Sequence, residues 1–286
     1  MGQGASKPGP LTTQMQVLGL GQSRTGTASF ARAMEILLQG PAYHSGANIL
    51  HRGNSHILRW NEILRTSLRL RQNPASVTTA ERVYQKFLIA KQLEGFVAVA
   101  DSPSNMYAEV LMELYPDAKI IVTTRDEEKW WQSIAPVFKG SQKTSYTNLL
   151  LFWVPGLRHW GSYVDLCIHG RWGELYYLNG EMRPGPYCYS RHYEYLERVV
   201  PKDKLHYYDV KSGWGPLCKI LQLPIPDVDF PFENDAMVIQ AAFTKAAYLG
   251  MGLWAAFFAA VMSLIVGAVY ANYCGLTPWS IIGRES

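Results

Sequence analysis

A glycine-rich turn near the start of the chain has the residue types of a phosphate-binding site. Gly21 and Gly26 enclose four residues, and the turn lies between a short apolar run and a set of apolar residues at helical spacing. Such a turn directs backbone N–H groups and a helix N-terminus at one point, where an anion can bind. The sequence therefore predicts an anion site at residues 21–26.

The residues after this turn disfavour two common phosphate ligands. ATP and GTP sites need lysine followed by serine or threonine to hold the β- and γ-phosphates and magnesium, but Thr27 and Ala28 stand there. A dinucleotide fingerprint that starts at Gly19 needs a third glycine where Arg24 stands. Nucleotide hydrolysis and NAD binding are both disfavoured.

A second pair of anion-binding residues follows a later predicted strand. Arg125 comes directly after the apolar run 119–124, and Ser133 lies eight residues further on, in a predicted helix that begins near Glu127. Separately, such an arginine can form a salt bridge at a strand end, and such a serine can face solvent. On its own, neither residue indicates a ligand.

The glycine turn resembles the 5′-phosphosulfate loop of the sulfotransferases. The Pro-Lys-Ser-Gly-Thr-Thr pattern of that family is met here by Ser23-Arg24-Thr25-Gly26-Thr27-Ala28. Arginine replaces lysine at position 24 and keeps the cation. Alanine at position 28 removes a hydroxyl, for which Ser29 is the possible substitute.

Two later segments resemble the same family. Arg125-Asp126, followed by Trp130 and Ser133, is similar to its 3′-phosphate signature. Residues 213–234 resemble the closing segment of fungal-type sulfotransferase-like proteins, which often carry a hydrophobic C-terminus. The resemblance covers about residues 14–235.

This resemblance implies 3′-phosphoadenosine 5′-phosphosulfate as the sulfuryl donor and no metal. The residues implied to bind the donor are Ser23, Arg24, Thr25, Gly26, Thr27, Ala28, Ser29, Arg125 and Ser133. The implied activity is transfer of the sulfuryl group to a hydroxyl of an apolar or amphipathic acceptor, a lipid or a specialised metabolite. Two alternatives stay open: a non-catalytic nucleotide-binding membrane protein of the same fold, and a P-loop kinase or NTPase.

Sulfuryl transfer needs a base for the acceptor oxygen and a cation for the departing phosphate. Arg24 is the predicted cation. Asp101 and His44 are the candidate bases, since each is expected at the carboxyl end of a strand, where ligands of such sheets bind. Asp101 ranks first, although it could instead cap the following helix, and His44 could be structural.

Alternating strands and helices are expected to position these residues. Extended or apolar runs predict strands at 15–20, 42–44, 96–100, 119–124 and 205–210. Helical spacing predicts helices over 30–38, over 51–91 with a break near Asn73-Pro74, after Pro103, from Glu127, over 190–200 and over 214–221. This alternation predicts an α/β fold with a doubly wound parallel sheet. The aromatic segment 141–185 has two interpretations. It could form a lid or an acceptor-binding region next to the membrane, or its aromatic residues could belong to ordinary helix packing.

The C-terminal region predicts one transmembrane helix at 246–271. Only Ser263 is distinctly polar there, and no Asp, Glu, Lys or Arg occurs between Lys245 and Arg284. At about 1.5 Å per residue the stretch exceeds the roughly 30 Å hydrocarbon core of a bilayer. The alternative is a buried core helix.

The chain ends, the net charge and the cysteines indicate where the protein is located and which partners it has. Gly2 matches the acceptor pattern for myristoylation, in a flexible segment 1–13, and residues 272–286 form a short tail. With no secretory signal, we expect a single-pass membrane protein whose domain, residues 14–235, faces the cytosol at the endoplasmic reticulum or a related endomembrane. The net charge of +4 is too weak for nucleic-acid binding, and the four cysteines lack zinc-site spacing.

Overall fold

The sheet contains five parallel strands in the order β2-β3-β1-β4-β5. The computed structural model describes residues 5–141, 144–233 and 235–275, so Gly2 and Arg284 lie outside the described residues. The strands are β1 (Val17–Gly19), β2 (Ala42–His44), β3 (Ala98–Ala100), β4 (Lys119–Thr123) and β5 (Leu205–Tyr208). Val17 is paired with both Ala98 and Lys119, which places β1 at the centre.

Helices connect the strands and continue past the sheet. They are α1 (Thr27–Leu38), α2 (Ser45–His51), α3 (Asn54–Gln72), α4 (Thr79–Leu93), α5 (Ala108–Leu114), α6 (Glu127–Ser141), α7 (Thr144–Leu151), α8 (Trp160–Leu166), α9 (Gly173–Tyr176), α10 (Cys188–Val199), α11 (Trp214–Leu221) and α12 (Asp235–Tyr273). A π-helical turn, Cys167–Trp172, joins α8 to α9.

Alternate residues of the central strands enter two separate cores. Leu18 and Val122 pack into the larger core with side chains of α3, α4, α5, α6, α8 and α10. Val17 and Ile121 pack into the smaller core with α1 and α11. Because successive strand residues point to opposite faces, both faces of the sheet are covered. The predicted doubly wound α/β fold is confirmed.

The region predicted as helical over 51–91, with a break near Asn73-Pro74, forms α3 and α4, and the shorter α2 precedes it. Gly53, with φ of 78°, separates α2 from α3, since a positive φ interrupts the helix. A capping box between Thr78 and Glu81 starts α4 after the break at Asn73-Pro74. The strands other than β2 are also shorter than the apolar runs that predict them.

The C-terminal part of the chain returns to α1 before it leaves the domain. Phe230 packs edge-on against Trp214, with 4.9 Å between ring centroids. The backbone N–H of Glu233 then donates to Ser29 Oγ at 2.9 Å. The next element is α12, in which Gln240–Tyr273 is long and apolar enough to cross a membrane, and its most apolar window is 0% buried.

Candidate active site

The backbone carbonyls of the glycine turn are all held by donors from the surrounding elements. Five successive carbonyl oxygens accept hydrogen bonds: Leu20 from His192 Nε2, Gly21 from Asn105 Nδ2, Gln22 from Thr25 Oγ1, Ser23 from Trp130 Nε1 and Arg24 from an Arg125 guanidinium nitrogen, at 2.6 to 2.9 Å. Satisfied carbonyls fix the path of the turn, so its shape does not depend on a ligand.

The start of α1 supplies the N–H groups of an anion site. Gly26 caps the helix with φ of 90°, and no side chain caps it. The first N–H groups of a helix have no intrahelical acceptor and carry the positive end of the helix dipole. A Cβ at position 26 would come within 2.5 Å of Val210, so only glycine fits there. Thr27 and Ala28 therefore lie where an anion can bind.

The second predicted anion site adjoins this turn. Arg24 Nε donates to Ser133 Oγ at 3.1 Å. Arg125, which is exposed, donates from its guanidinium to the Arg24 carbonyl at 2.9 Å. Arg24 has φ of 73°, a left-handed conformation that is costly for a residue with a Cβ. Arg24 is thus hydrogen-bonded to both Arg125 and Ser133.

The two candidate bases, His44 and Asp101, lie together next to Thr27 at the start of α1. Thr27 Oγ1 is 3.1 Å from His44 Nε2 and 3.5 Å from Asp101 Oδ1. The N–H of Gly46 donates to Asp101 Oδ2 at 3.0 Å, and the N–H of Ala47 donates to His44 Nδ1 at 3.3 Å. His44 and Asp101 are only 8% and 7% exposed. Asp101 also has a left-handed backbone, with φ of 78°.

The His44 ring is oriented by these contacts. An acceptor role for Nδ1 places the proton of the neutral ring on Nε2, which then donates to Thr27 Oγ1. In that tautomer His44 holds the Thr27 hydroxyl, which can in turn donate to Asp101. The carboxylate of Asp101 is the acceptor at the end of this chain of hydrogen bonds.

The other residues predicted from the glycine turn have mainly supporting contacts. Ser23 Oγ accepts from the backbone N–H of Ser102 at 3.3 Å, which ties the turn to the segment after Asp101. Thr25 Oγ1 lies 2.6 Å from Thr123 Oγ1, between the turn and β4. Ser29, the possible substitute for the hydroxyl missing at Ala28, binds the N–H of Glu233 instead.

Three side chains of α10 also support the site, and the sequence analysis did not identify them. Tyr189 hydrogen-bonds both the N–H and the carbonyl of Arg125. Tyr193 donates to the Thr123 carbonyl at 2.9 Å, and His192 binds Leu20 at the end of β1. Polar aromatic residues at i, i+3 and i+4 lie on one helix face, and this spacing was the available signal.

Burial determines the protonation of two groups near the site. Burial lowers the pKa of His192 to about 4, so the ring is neutral; its Nδ1 pairs with the Tyr176 hydroxyl at 2.8 Å. Burial also raises the pKa of the Cys167 thiol to about 12, and the negative charge of Asp101 adds to this effect. Cys167 is therefore a neutral thiol near Asp101 at physiological pH.

The structure brings no metal-ligand set together in the part of the chain that it describes: no group of three or more His, Cys, Asp or Glu side chains there could hold a metal ion. The site instead has a helix N-terminus, two arginines and a buried carboxylate with its histidine neighbour. This arrangement can bind an anion at two points and accept a proton at a third.

Comparison with known proteins identifies a matching family and a relative. The family model described as "Sulfotransferase domain" matches residues 16–239. A curated protein of Aspergillus versicolor, "Ava biosynthesis cluster protein M", is 28% identical over 235 residues, which cover 76% of this chain and 80% of that protein.

Proposed function

Because the chain belongs to the sulfotransferase domain family, we propose that it transfers a sulfuryl group from 3′-phosphoadenosine 5′-phosphosulfate to a hydroxyl of an apolar or amphipathic acceptor at a membrane. The acceptor is a lipid or a specialised metabolite. The Aspergillus versicolor relative is named as a biosynthesis cluster protein. That name supports a small-molecule acceptor.

One structural observation supports 3′-phosphoadenosine 5′-phosphosulfate as the donor. Arg125 donates to the carbonyl of Arg24, and Arg24 donates to Ser133. The residues assigned to the 3′-phosphate therefore lie against the loop assigned to the 5′-phosphosulfate. A donor with anionic groups at both positions would engage both sets, whereas a simple anion would need only the loop.

The residues divide the chemical step between them. The acceptor oxygen attacks sulfur, the bond from sulfur to the 5′-phosphate oxygen breaks, and 3′-phosphoadenosine 5′-phosphate leaves. Asp101 takes the proton of the acceptor hydroxyl. His44 binds the Thr27 hydroxyl, and Thr27 in turn holds the Asp101 carboxylate in place. The N-terminus of α1 and Arg24 stabilise the charge that develops on the departing phosphate.

The membrane setting rests on α12 and on the absence of charged residues from its second half. Residues 262–270 are all exposed in the structure. The exposure of these apolar residues supports a membrane environment for the helix. The domain, facing the cytosol at an endomembrane, is then anchored through α12.

Calorimetry on the full chain in detergent micelles tests the donor. We expect 3′-phosphoadenosine 5′-phosphate to bind at least about tenfold more tightly than adenosine 5′-phosphate, a difference of roughly 1.4 kcal/mol. Arg125→Ala should abolish this preference and leave binding of the ligand without the 3′-phosphate unchanged. Equal affinities in the unmodified protein would refute the assignment.

The matched control is Arg198→Ala. Arg198 is an exposed arginine in the last turn of α10, so its substitution removes the same charge from outside the proposed cleft. We expect the control variant to keep the preference for the 3′-phosphate.

A transfer assay distinguishes an enzyme from a non-catalytic binding protein. The protein is incubated with labelled donor and a lipid or metabolite extract, and only an enzyme should transfer labelled sulfate to a component of the extract.

A further inference from the structure

The helix α12 consists of two parts with different surroundings. In the first part, Ala246 is only 7% exposed and packs with Leu151, Val154 and Leu157 of the domain. In the second part, residues 262–270 are all exposed. The domain therefore holds the first part, and the second part projects away from it.

Four aromatic side chains mark the boundary between these parts. Trp153 lies 5.6 Å from Trp254 and 5.6 Å from Phe257, between ring centroids, and Phe152 lies 6.2 Å from Trp254. We call Phe152, Trp153, Trp254 and Phe257 the aromatic clamp. The indole N–H of Trp254 donates to the Leu149 carbonyl at 2.8 Å, which fixes the register of α12 against the end of α7.

The length of α12 is too great for the whole apolar stretch to cross one bilayer. From Gln240 to Tyr273 the helix rises by about 50 Å, against a hydrocarbon core of roughly 30 Å. From Trp254 to Tyr273 it rises by about 29 Å, which matches that core. Trp254 would then lie at one interface, with Tyr270 and Tyr273 at the other, as interfacial aromatics do.

The turn after α7 supports the same boundary. Residues 152–156 have irregular backbone. If the hydrocarbon began at Ala246, the clamp would lie about 12 Å inside it, and so would this turn. The N–H groups of Phe152, Val154 and Gly156 are bonded within the chain. Irregular backbone that faces lipid nevertheless does not occur within the hydrocarbon core, so this placement is unfavourable.

The domain residues of the clamp and the neighbouring Leu149 form an apolar surface that the described chain covers only in part. Leu149, Phe152 and Trp153 are 59%, 51% and 39% exposed. This surface is continuous with the exposed apolar side of α12. A bilayer would cover the domain surface and the exposed side of α12 together. A protein partner would cover the domain surface but would have to end where the lipid around α12 begins.

We propose that the aromatic clamp lies in the membrane interface, so that the bilayer span runs from Trp254 to Tyr273 and the end of α7 rests in the lipid headgroups. The occupant of the exposed apolar surface is the bilayer itself. The proposal rests on the membrane setting of the proposed function and is independent of its transfer chemistry.

This placement brings the bilayer close to the candidate active site. Leu50, near the end of α2, packs on the cluster of Leu151, Val154 and Leu157 next to the clamp. Helix α2 begins directly after His44 and contains seven residues, about 10 Å of rise. The end of α2 next to the clamp is therefore one short helix away from His44.

Depth-dependent fluorescence quenching on the full chain tests the placement. A Cys274→Ser background removes the exposed cysteine, and an environment-sensitive dye is attached to Phe152→Cys, Tyr248→Cys, Met262→Cys or Val83→Cys. Each protein is placed in phosphatidylcholine vesicles that contain a shallow or a deep nitroxide lipid. The background variant, treated in the same way, measures labelling of the native cysteines.

The expected pattern distinguishes three depths. The dye at position 152 should be quenched at least about twofold more by the shallow nitroxide than by the deep one, and the dye at position 262 should show the reverse. Positions 248 and 83 should be quenched by neither, since Tyr248 lies about 9 Å outside Trp254 along the helix and Val83 is exposed on α4.

Three results would overturn the proposal. Shallow quenching at position 248 equal to that at 152 would mean that the span begins near Ala246. No quenching at 152 with deep quenching at 262 would mean that the clamp faces a protein or a second copy of the chain. No quenching at 262 would remove the membrane setting, while donor binding and sulfate transfer would still be measurable separately.

Discussion

Arg24 donates a hydrogen bond from Nε to the hydroxyl of Ser133 at 3.1 Å, although 109 residues separate them in the chain. The contact joins the glycine turn after β1 to the helix after β4. These two strands are adjacent in the sheet, so their carboxyl ends bring both residues to the same edge. The cation predicted for the leaving phosphate and a residue predicted for the 3′-phosphate are thus direct neighbours.

Arg24→Gly should separate stability from catalysis. Glycine relieves the left-handed backbone cost of about 1–2 kcal/mol, but it adds entropy to the unfolded chain and removes the bond to Ser133, each about 1 kcal/mol. We expect the free energy of unfolding to change by less than about 1 kcal/mol, and kcat to fall at least about 100-fold. Urea unfolding and donor turnover measure the two effects.

Gln222→Gly is the control for this substitution. Gln222 also has a positive φ, 57°, at the C-terminal cap of α11, away from the glycine turn. Its replacement should leave kcat unchanged. Unchanged turnover in Arg24→Gly would contradict the role of Arg24.

Asp101→Asn and His44→Gln should identify the base. Asparagine tolerates a positive φ and can still accept the N–H of Gly46, so the backbone around position 101 is retained. We expect kcat to fall by about 100-fold to 10,000-fold in Asp101→Asn. We expect a fall of about tenfold or less in His44→Gln, since glutamine can still donate to Thr27. Single-turnover kinetics measure both, and the opposite order would assign the base to His44.

The free energy of unfolding should fall as the pH is lowered from 6.5 toward 4, because His192 is buried as a neutral ring. The folded ring has its pKa lowered by burial from 6.5 to about 4, so in this interval the unfolded chain binds more protons. The shift corresponds to about 3 kcal/mol of stability, present above pH 6.5 and lost by pH 4. His56, whose pKa burial lowers to about 3, adds a loss of the same sign.

The contribution of His192 can be measured with His192→Gln. Glutamine can still donate to the Leu20 carbonyl but does not titrate in this range. Thermal melting between pH 7.5 and 5 should show a shallower loss of stability in the variant than in the unmodified protein. Equal slopes would mean that His192 does not contribute.

Gly21→Ala should destabilise the domain because β4 occupies the space for a side chain. A Cβ at position 21 would lie 2.6 Å from the Thr123 carbonyl oxygen, which is backbone and cannot rotate away. We expect a loss of at least about 2 kcal/mol in urea unfolding. Gly215→Ala in α11 is the control: nothing lies within 4 Å of its added Cβ, so alanine should be neutral or stabilising.

The sequence alone determined the elements and the motifs. Apolar runs located each strand within a few residues, and the turn at 21–26, Arg125 and Ser133 resembled the donor-binding motifs of the sulfotransferases. The uninterrupted apolar composition after Lys245 predicted a helix, which is present within α12. These features are local, because a motif or a periodic pattern is complete within a few turns of chain.

Only the tertiary structure decided which of these features meet. His44 and Asp101 were alternative bases in the sequence and are neighbours in the fold, because β2 and β3 are paired and end together. The support from Tyr189 and His192, and the packing of Trp254 on the end of α7, depend on how distant helices pack against the sheet. Strand order and helix packing are set by contacts between residues far apart in the chain, and no local pattern encodes them.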